Sequence, residues 1–133
     1  MKNLIVVVLM LFSLSSFSQQ ILTDDNFEEA INGRSAFQDD NISIVVVEFW
    51  ASWNAVNQFN DLPKLKDCKV YRVDVSTYID IQIDYSVEAI PTIVIFDNGE
   101  EKERFKPNIM FQLEANKKTI QHSADTLLLN KFN

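Results

Sequence analysis

Alternating and continuous apolar runs predict four strands in this chain. Residues 44–50 are apolar on both parities and rich in β-branched side chains, which is typical of a strand covered on both faces. Similar but shorter runs predict strands at 70–75 and 93–96. An Asn98-Gly99 pair then favours a tight hairpin turn into an edge strand around 102–105.

Apolar residues at helical spacing predict helices over 27–31, 54–66, 79–85 and 117–132. Pro63 lies inside the second of these and is expected to kink it. From residue 44 onward the order is therefore β-α-β-α-β-β-α. That order is typical of an α/β sheet flanked by helices.

Residues 108–115 are ambiguous. Ile109, Phe111 and Leu113 alternate with polar or flexible neighbours, which favours a strand, but the same residues would also suit the start of the last helix. The sequence holds no internal repeat, linker or low-complexity tract. It therefore predicts one domain, over residues 19–133.

The first residues have the pattern of a secretory signal peptide. Lys2 precedes an apolar run over 4–14, and the small residues Ser16 and Ser18 suit cleavage before Gln19. A membrane anchor is the alternative, but the run is shorter than the roughly 20 residues needed to span a bilayer. We therefore expect residues 1–18 to be removed and the domain to lie in the periplasm or outside the cell, with no stable membrane insertion.

The charge balance excludes two classes of partner. The net charge is −7, and no basic run interrupts the acidic surplus. Nucleic acid and anionic lipid surfaces are both bound through clustered Lys and Arg. We expect neither as a partner.

Cysteine and histidine are scarce. Cys68 is the single cysteine and His122 the single histidine, so no intramolecular disulfide can form. No spacing matches a metal-binding motif, and we expect neither a metal nor another cofactor. Cys68 is either a small apolar residue near a helix end or a candidate reactive thiol, whose thiolate Lys66 and Lys69 would favour.

A run of residues at the end of the first long strand resembles the thioredoxin family. In that family Val47-Glu48-Phe49-Trp50-Ala51-Ser52-Trp53 has its counterpart in the strand that leads into a Cys-Gly-Pro-Cys redox turn. The likeness extends over about residues 20–105 and more weakly through the last helix. Further matching motifs, in the family's order, are residues 22–27, 72–74, 85–92 and 96–100.

The resemblance implies a thioredoxin fold, an α/β fold with a central mixed sheet flanked by helices. It also implies a cis peptide bond at Ile90–Pro91, beside the redox turn. Glu48 and Arg72 match a buried acid and a basic residue on the neighbouring strand. Since a lone buried carboxylate is costly, we expect Arg72 or a water to meet Glu48, as a buried ion pair in the first case.

The chain departs from the family at the redox turn itself. Asn54, Ala55, Val56 and Asn57 occupy the Cys-Gly-Pro-Cys positions. Thiol–disulfide exchange needs an attacking thiolate and a resolving thiol, and a carboxamide supplies neither. Dithiol redox activity is therefore not expected.

Two interpretations of the asparagines stay open. Asn54 suits a helix N-cap, and Asn57 can add a hydrogen bond in the first turn. Alternatively, in addition to capping, both amides form a polar, uncharged peptide-binding surface together with Trp53, Ile90 and Pro91. The second interpretation takes Trp53 and Pro91 to be exposed.

These observations favour an exported, non-catalytic binding or accessory module. Its partner would be another exported protein, held through an extended peptide segment. The alternatives are a thiol–disulfide oxidoreductase of residual or monothiol type using Cys68, and a structural subunit of an envelope complex. The sequence leaves the partner and the oligomeric state open.

Overall fold

The structure is a computed structural model that describes residues 20–33 and 43–133. The predicted signal peptide lies outside these ranges and stays a prediction. The strands are β1 (Gln20–Leu22), β2 (Ile44–Trp50), β3 (Lys69–Asp74), β4 (Thr92–Asp97) and β5 (Glu100–Phe105). The α-helices are α1 (Phe27–Ile31), α2 (Ile79–Asp84) and α3 (Lys117–Asn130). In these two ranges no helix combines the length and the apolar character needed to cross a membrane.

The five strands form one mixed sheet in the order β1-β3-β2-β4-β5. β3 is parallel to both of its neighbours, while β4 is antiparallel to β2 and to β5. The sequence did not predict β1. It is three residues long, which is too short for a usable alternation of apolar and polar positions, and its exposed residue Ile21 is apolar.

Side chains of β2 alternate between two apolar clusters, one on each face of the sheet. Val45 and Val47 belong to the cluster covered by α1 and α2, and Ile44 and Val46 to the cluster covered by α3. The second cluster also receives Phe59, from the connection after β2. Burial on both faces explains why β2 reads as a continuous apolar run.

The helix predicted over 54–66 is wrong. A 3-10 helix occupies Ser52–Asn57, and a second, short one occupies Leu62–Lys64, with Pro63 inside it. Gln58, between the two, is extended with ψ of 150°. The apolar spacing predicts burial correctly for Phe59, Leu62 and Leu65, but wrongly for Val56, which is exposed. The backbone, however, reaches the core without an α-helix.

A buried side chain accounts for this break. The backbone N–H of Phe59 donates to the Glu48 carboxylate at 2.7 Å, where an α-helix would use the carbonyl four residues earlier. Pro63 offers no N–H to continue an α-helical ladder and lies in the first turn of the short 3-10 helix. The Phe59–Glu48 bond and the missing N–H of Pro63 together prevent one continuous α-helix.

Residues 107–113, which we call the 107–113 loop, form neither a strand nor a helix. The Asn108 side chain accepts hydrogen bonds from the N–H groups of Met110 and Gln112 at 2.9 and 3.1 Å. The Asn108 N–H donates to the Gln112 carbonyl at 2.9 Å, and Pro107 and Leu113 form an isolated bridge. The side chain of one asparagine thus closes the turn and prevents continuous strand pairing.

The predicted hairpin turn joins β4 to β5. Asn98 and Gly99 have φ of 51° and 81°, as a type I′ turn requires. A Cβ at Gly99 would lie 2.3 Å from the side-chain oxygen of Asn32. The turn therefore needs glycine for space as well as for its backbone angle.

Candidate functional site

Three segments meet beyond the end of β2. The first is the 3-10 helix Ser52–Asn57, which carries the exposed Trp53. The second is the approach to β4, where the Ile90–Pro91 peptide bond is cis, as the resemblance implied. The third is the 107–113 loop. We call their meeting point the candidate site.

Asn54 joins the three segments through its side-chain amide. Its Nδ2 atom donates to the carbonyl oxygens of Ile90 and Phe111, each at 3.3 Å. Its Oδ1 atom accepts a hydrogen bond from Nδ2 of Asn57 at 2.8 Å. Both N–H groups of the Asn54 amide are therefore engaged within the molecule.

The N-cap interpretation of Asn54 is wrong. The 3-10 helix begins after Ala51 and has no side-chain cap hydrogen bond, and Asn54 lies inside it with non-helical φ and ψ of −114° and 30°. Its amide reaches away from the helix, toward Ile90 and Phe111. The expected hydrogen bond from Asn57 does form within this turn.

The expected exposure is confirmed for Trp53 and wrong for Pro91. Asn54, Ile90 and Pro91 are buried, with Asn54 only 6% exposed, whereas Trp53 is 66% exposed and Asn57 is half-buried. The 107–113 loop contributes to this burial, since the Phe111 carbonyl lies on the Asn54 amide. The two amides consequently do not form an open polar surface.

A small pocket of about 130 Å³ opens between Trp53 and Phe111. The two rings meet edge to face, with centroids 5.9 Å apart and planes at 85°. The pocket is lined by Ala51, Trp53, Val75, Ser76, Gln82, Glu88, Ala89, Ile90 and Phe111. Sequence reasoning missed Phe111 as a site residue. Its signal was the apolar run Ile109-Met110-Phe111, which no core prediction used.

Large apolar side chains are exposed on the two segments that carry Trp53 and Phe111. Val56 neighbours Trp53 on the 3-10 helix, and Ile109 and Met110 form the tip of the 107–113 loop beside Phe111. Ile109 is 97% exposed. We call Trp53, Val56, Ile109, Met110 and Phe111 the apolar rim. Exposed apolar side chains that form one contiguous patch mark interaction sites in soluble proteins, and the Trp53–Phe111 ring contact joins the two segments here.

Polar side chains of the pocket wall are held by neighbours within the chain. The Ser76 hydroxyl donates to the Asp74 carboxylate, and Gln82 Nε2 donates to the Val87 carbonyl. Within residues 20–33 and 43–133, no three His, Cys, Asp or Glu side chains are grouped as metal ligands would be. The pocket residues therefore supply apolar contact and hydrogen bonding.

Glu48 and Arg72 form an ion pair behind the site. Arg72 Nε lies 2.6 Å from Glu48 Oε1, and the carboxylate is fully buried. An Arg72 Nη atom also donates to the Phe59 carbonyl at 3.2 Å, so the guanidinium and carboxylate hold both polar groups of Phe59. Burial raises the pKa of Glu48, against the opposing effects of the Phe59 N–H and Arg72.

Cys68 lies outside the pocket, in contact with the core cluster under α3. The thiol is half-buried, and burial raises its pKa to about 12, with smaller contributions from Asp125 and Asp67. The expectation that Lys66 and Lys69 favour the thiolate is therefore wrong in direction. Desolvation and the two carboxylates outweigh the lysines.

Known proteins similar to this chain are thioredoxins. It is 33% identical to the thioredoxin of Mycoplasma genitalium over 66 residues, which cover 45% of this chain and 65% of that protein. It is 32% identical to the chloroplastic thioredoxin Y1 of Arabidopsis thaliana over 90 residues, covering 62% of this chain and 49% of that one. The chain thus spans about half to two thirds of these two relatives.

Structural similarity agrees with these matches. The crystal structure of Malassezia sympodialis thioredoxin superposes with a TM-score of 0.57, at 21% identity, over 80% of this chain and 90% of that one. This likeness confirms the thioredoxin fold. The sequence profile of the thioredoxin family matches residues 18–122. The chain therefore belongs to the thioredoxin family.

Proposed function

We propose that this chain is an exported, non-redox binding module that holds an extended segment of another exported protein against Trp53 and Phe111. The observation that carries the proposal is the pocket between these two rings, which are also the two members of the exposed apolar rim that line it. The pocket lies where the 3-10 helix Ser52–Asn57 meets the Ile90–Pro91 segment. Exposed aromatic side chains around a pocket are typical anchors of protein recognition.

The size of the pocket favours a peptide side chain as its occupant. Small-molecule sites usually enclose roughly 300–1,000 Å³, and this pocket holds about 130 Å³. That volume suits a single apolar side chain. The rest of an extended segment would lie across the apolar rim, where Val56, Ile109 and Met110 offer further contact.

The charge of the chain restricts the segment further. The net charge is −7, and the one charged pocket residue is Glu88. Lys106 approaches the Glu88 carboxylate only to 3.7 Å, and both side chains are largely exposed. An acidic segment would be repelled by this surface, so we expect an uncharged or basic one.

The absence of redox chemistry is supported by cysteine use. The chain has one cysteine, so it cannot cycle an internal dithiol. Cys68 has a pKa of about 12, at which little thiolate exists near neutral pH, and it does not line the pocket. The monothiol alternative thus has less support than non-covalent binding. Export is supported by the signal-peptide pattern of residues 1–18.

The test is selection of random heptapeptides displayed on phage against the purified protein. We expect the retained peptides to share one large aliphatic residue and to be depleted in Asp and Glu. Trp53→Ala should abolish this enrichment, because it removes one pocket wall. The proposal fails if no sequence class is enriched, or if Trp53→Ala selects the same class.

Phe132→Ala is the matched control. Phe132 is 80% exposed and follows α3, whose end is tied by the Lys131–Asp97 ion pair to the end of β4 that lies away from Pro91. Truncating an exposed aromatic side chain at that end should leave the selected peptide class unchanged. Loss of enrichment in this control as well would indicate non-specific binding and contradict a defined site.

A further inference from the structure

We propose that Asn54 and Asn57 are a docking pair that holds the 107–113 loop on the site, so that Asn54 is a positioning residue acting through Phe111. Its consequence for peptide binding rests on the proposed function above. The docking itself does not, because it concerns contacts within the chain. Asn54 and Asn57, at the positions of the family's redox cysteines, thus hold a loop in place.

The pair sets the direction of the Asn54 amide. Asn57 donates to Asn54 Oδ1 at 2.8 Å, which leaves Asn54 Nδ2 facing the two carbonyl oxygens. Those oxygens belong to Ile90 and Phe111, which lie 36 and 57 residues away along the chain. One nitrogen with two N–H groups therefore links the cis-proline segment to the 107–113 loop.

Few other side chains could replace Asn54 in this link. A thiol has one weak donor and would leave at least one of the two carbonyls without this partner. Aspartate has the same shape as asparagine but no donor when ionised, so it would place negative charge against two carbonyl oxygens. A buried carboxylate that faces two carbonyl oxygens, with only the Asn57 amide as donor, is strongly disfavoured. The requirement for two donors explains why an amide is used here.

The conformation of the loop directs the carbonyl and the ring of Phe111 to two different partners. Phe111 has a φ of 58°, which is uncommon for a bulky residue and points to a functional constraint. The Asn108 side chain closes the turn around it through Met110 and Gln112. In this conformation the Phe111 carbonyl meets Asn54 while its ring meets Trp53.

Docking of the loop completes the pocket. Trp53 and Ile90 line it from the body of the domain, and Phe111 lines it from the loop. If the loop leaves Asn54, Phe111 no longer faces Trp53, and an open surface replaces the pocket. Asn54 therefore controls peptide affinity without touching the peptide.

Nuclear Overhauser contacts between the Trp53 indole and the Phe111 ring test the docking directly. We expect them in the wild-type protein and expect Asn54→Asp to abolish them, with the Phe111 ring shifts moving toward solvent-exposed values. Asn60→Asp is the control, since Asn60 is exposed nearby and its Oδ1 only accepts a bond from Gln58. Retention of the Trp53–Phe111 contacts in Asn54→Asp would overturn the proposal.

A second variant keeps the proposal testable if Asn54→Asp does not fold. Phe111→Gly keeps the carbonyl and suits the positive φ, but it removes the ring. We expect the shifted Asn54 side-chain NH₂ signals to persist in this variant while the affinity for a selected peptide falls about tenfold or more. Loss of those NH₂ shifts in a folded Phe111→Gly protein would contradict carbonyl docking.

The two proposals fail in different ways. If Asn54→Asp separates the rings but no peptide binds the wild type, docking stands and the proposed function is wrong. If the rings stay together in Asn54→Asp and a selected peptide binds both proteins equally, docking is wrong and the proposed function stands.

Discussion

Two buried polar clusters lie near the end of β2, and they differ in charge. The inner cluster is the Glu48–Arg72 ion pair, which also holds both backbone groups of Phe59. The outer cluster is the neutral pair Asn54 and Asn57, which holds the carbonyls of Ile90 and Phe111. Each cluster fixes an irregular segment through side-chain hydrogen bonds. They should therefore respond differently to substitution and to pH.

The two clusters differ in the desolvation free energy that their hydrogen bonds must offset. Buried charges must recover a large desolvation penalty, so the inner cluster depends on every one of its partners. Amides are cheaper to bury once hydrogen-bonded, and they do not titrate. The inner cluster therefore governs stability, while the outer one can shape the candidate site with less effect on the fold.

Arg72→Ala should have the largest effect, because it leaves the Glu48 carboxylate buried without its ion-pair partner. Removing one member of a buried pair costs about 3–5 kcal/mol of unfolding free energy. Urea denaturation of wild type and variant measures this loss of unfolding free energy. Lys102→Ala is the control, since the Lys102–Glu100 pair lies at the exposed edge of the sheet and should change stability little. A stable Arg72→Ala protein would show that the inner cluster is not essential.

The pH dependence of stability should also distinguish the two clusters, with a smaller effect than Arg72→Ala. Burial raises the pKa of Glu48 above its unfolded value, so the folded state binds this proton more tightly. Its contribution to stability is full below the unfolded pKa and is lost as pH rises through the folded pKa. Glu48→Gln should remove this loss.

The measurement is the unfolding free energy of wild type and Glu48→Gln from about pH 5 to about pH 8. We expect the wild type to lose stability relative to the variant as pH rises. Glu29→Gln, at an exposed position on α1, should follow the wild type. An Asn54→Ala protein should also keep the wild-type slope, because the outer cluster has no titrating group. Parallel curves for wild type and Glu48→Gln would contradict the raised pKa.

Local sequence signals predicted the parts of the fold that depend on local periodicity. The continuous run of β2 and the Asn98-Gly99 turn appear in the structure where the pattern placed them. The cis bond before Pro91 followed from the family resemblance rather than from periodicity. These features depend on neighbours in sequence or on a motif shared by the family.

The remaining features depend on contacts that are distant in sequence. The predicted helix after β2 is broken because Glu48 captures the N–H of Phe59, eleven residues on. The residue type of Asn54 suits a cap, yet the partners of its amide nitrogen lie 36 and 57 residues away. The 107–113 loop is the exception, because the Asn108 side chain reaches only two and four residues along the chain, to Met110 and Gln112. None of these bonds has a periodic signature.

Calorimetric titration of one peptide obtained from the selection tests the central claim most directly. We expect it to bind the wild type under reducing conditions and Trp53→Ala about tenfold or more weakly, since truncating an aromatic anchor removes much of the binding energy. Phe132→Ala should bind it like the wild type. Equal affinity for wild type and Trp53→Ala would contradict a non-covalent binding site at this end of the sheet.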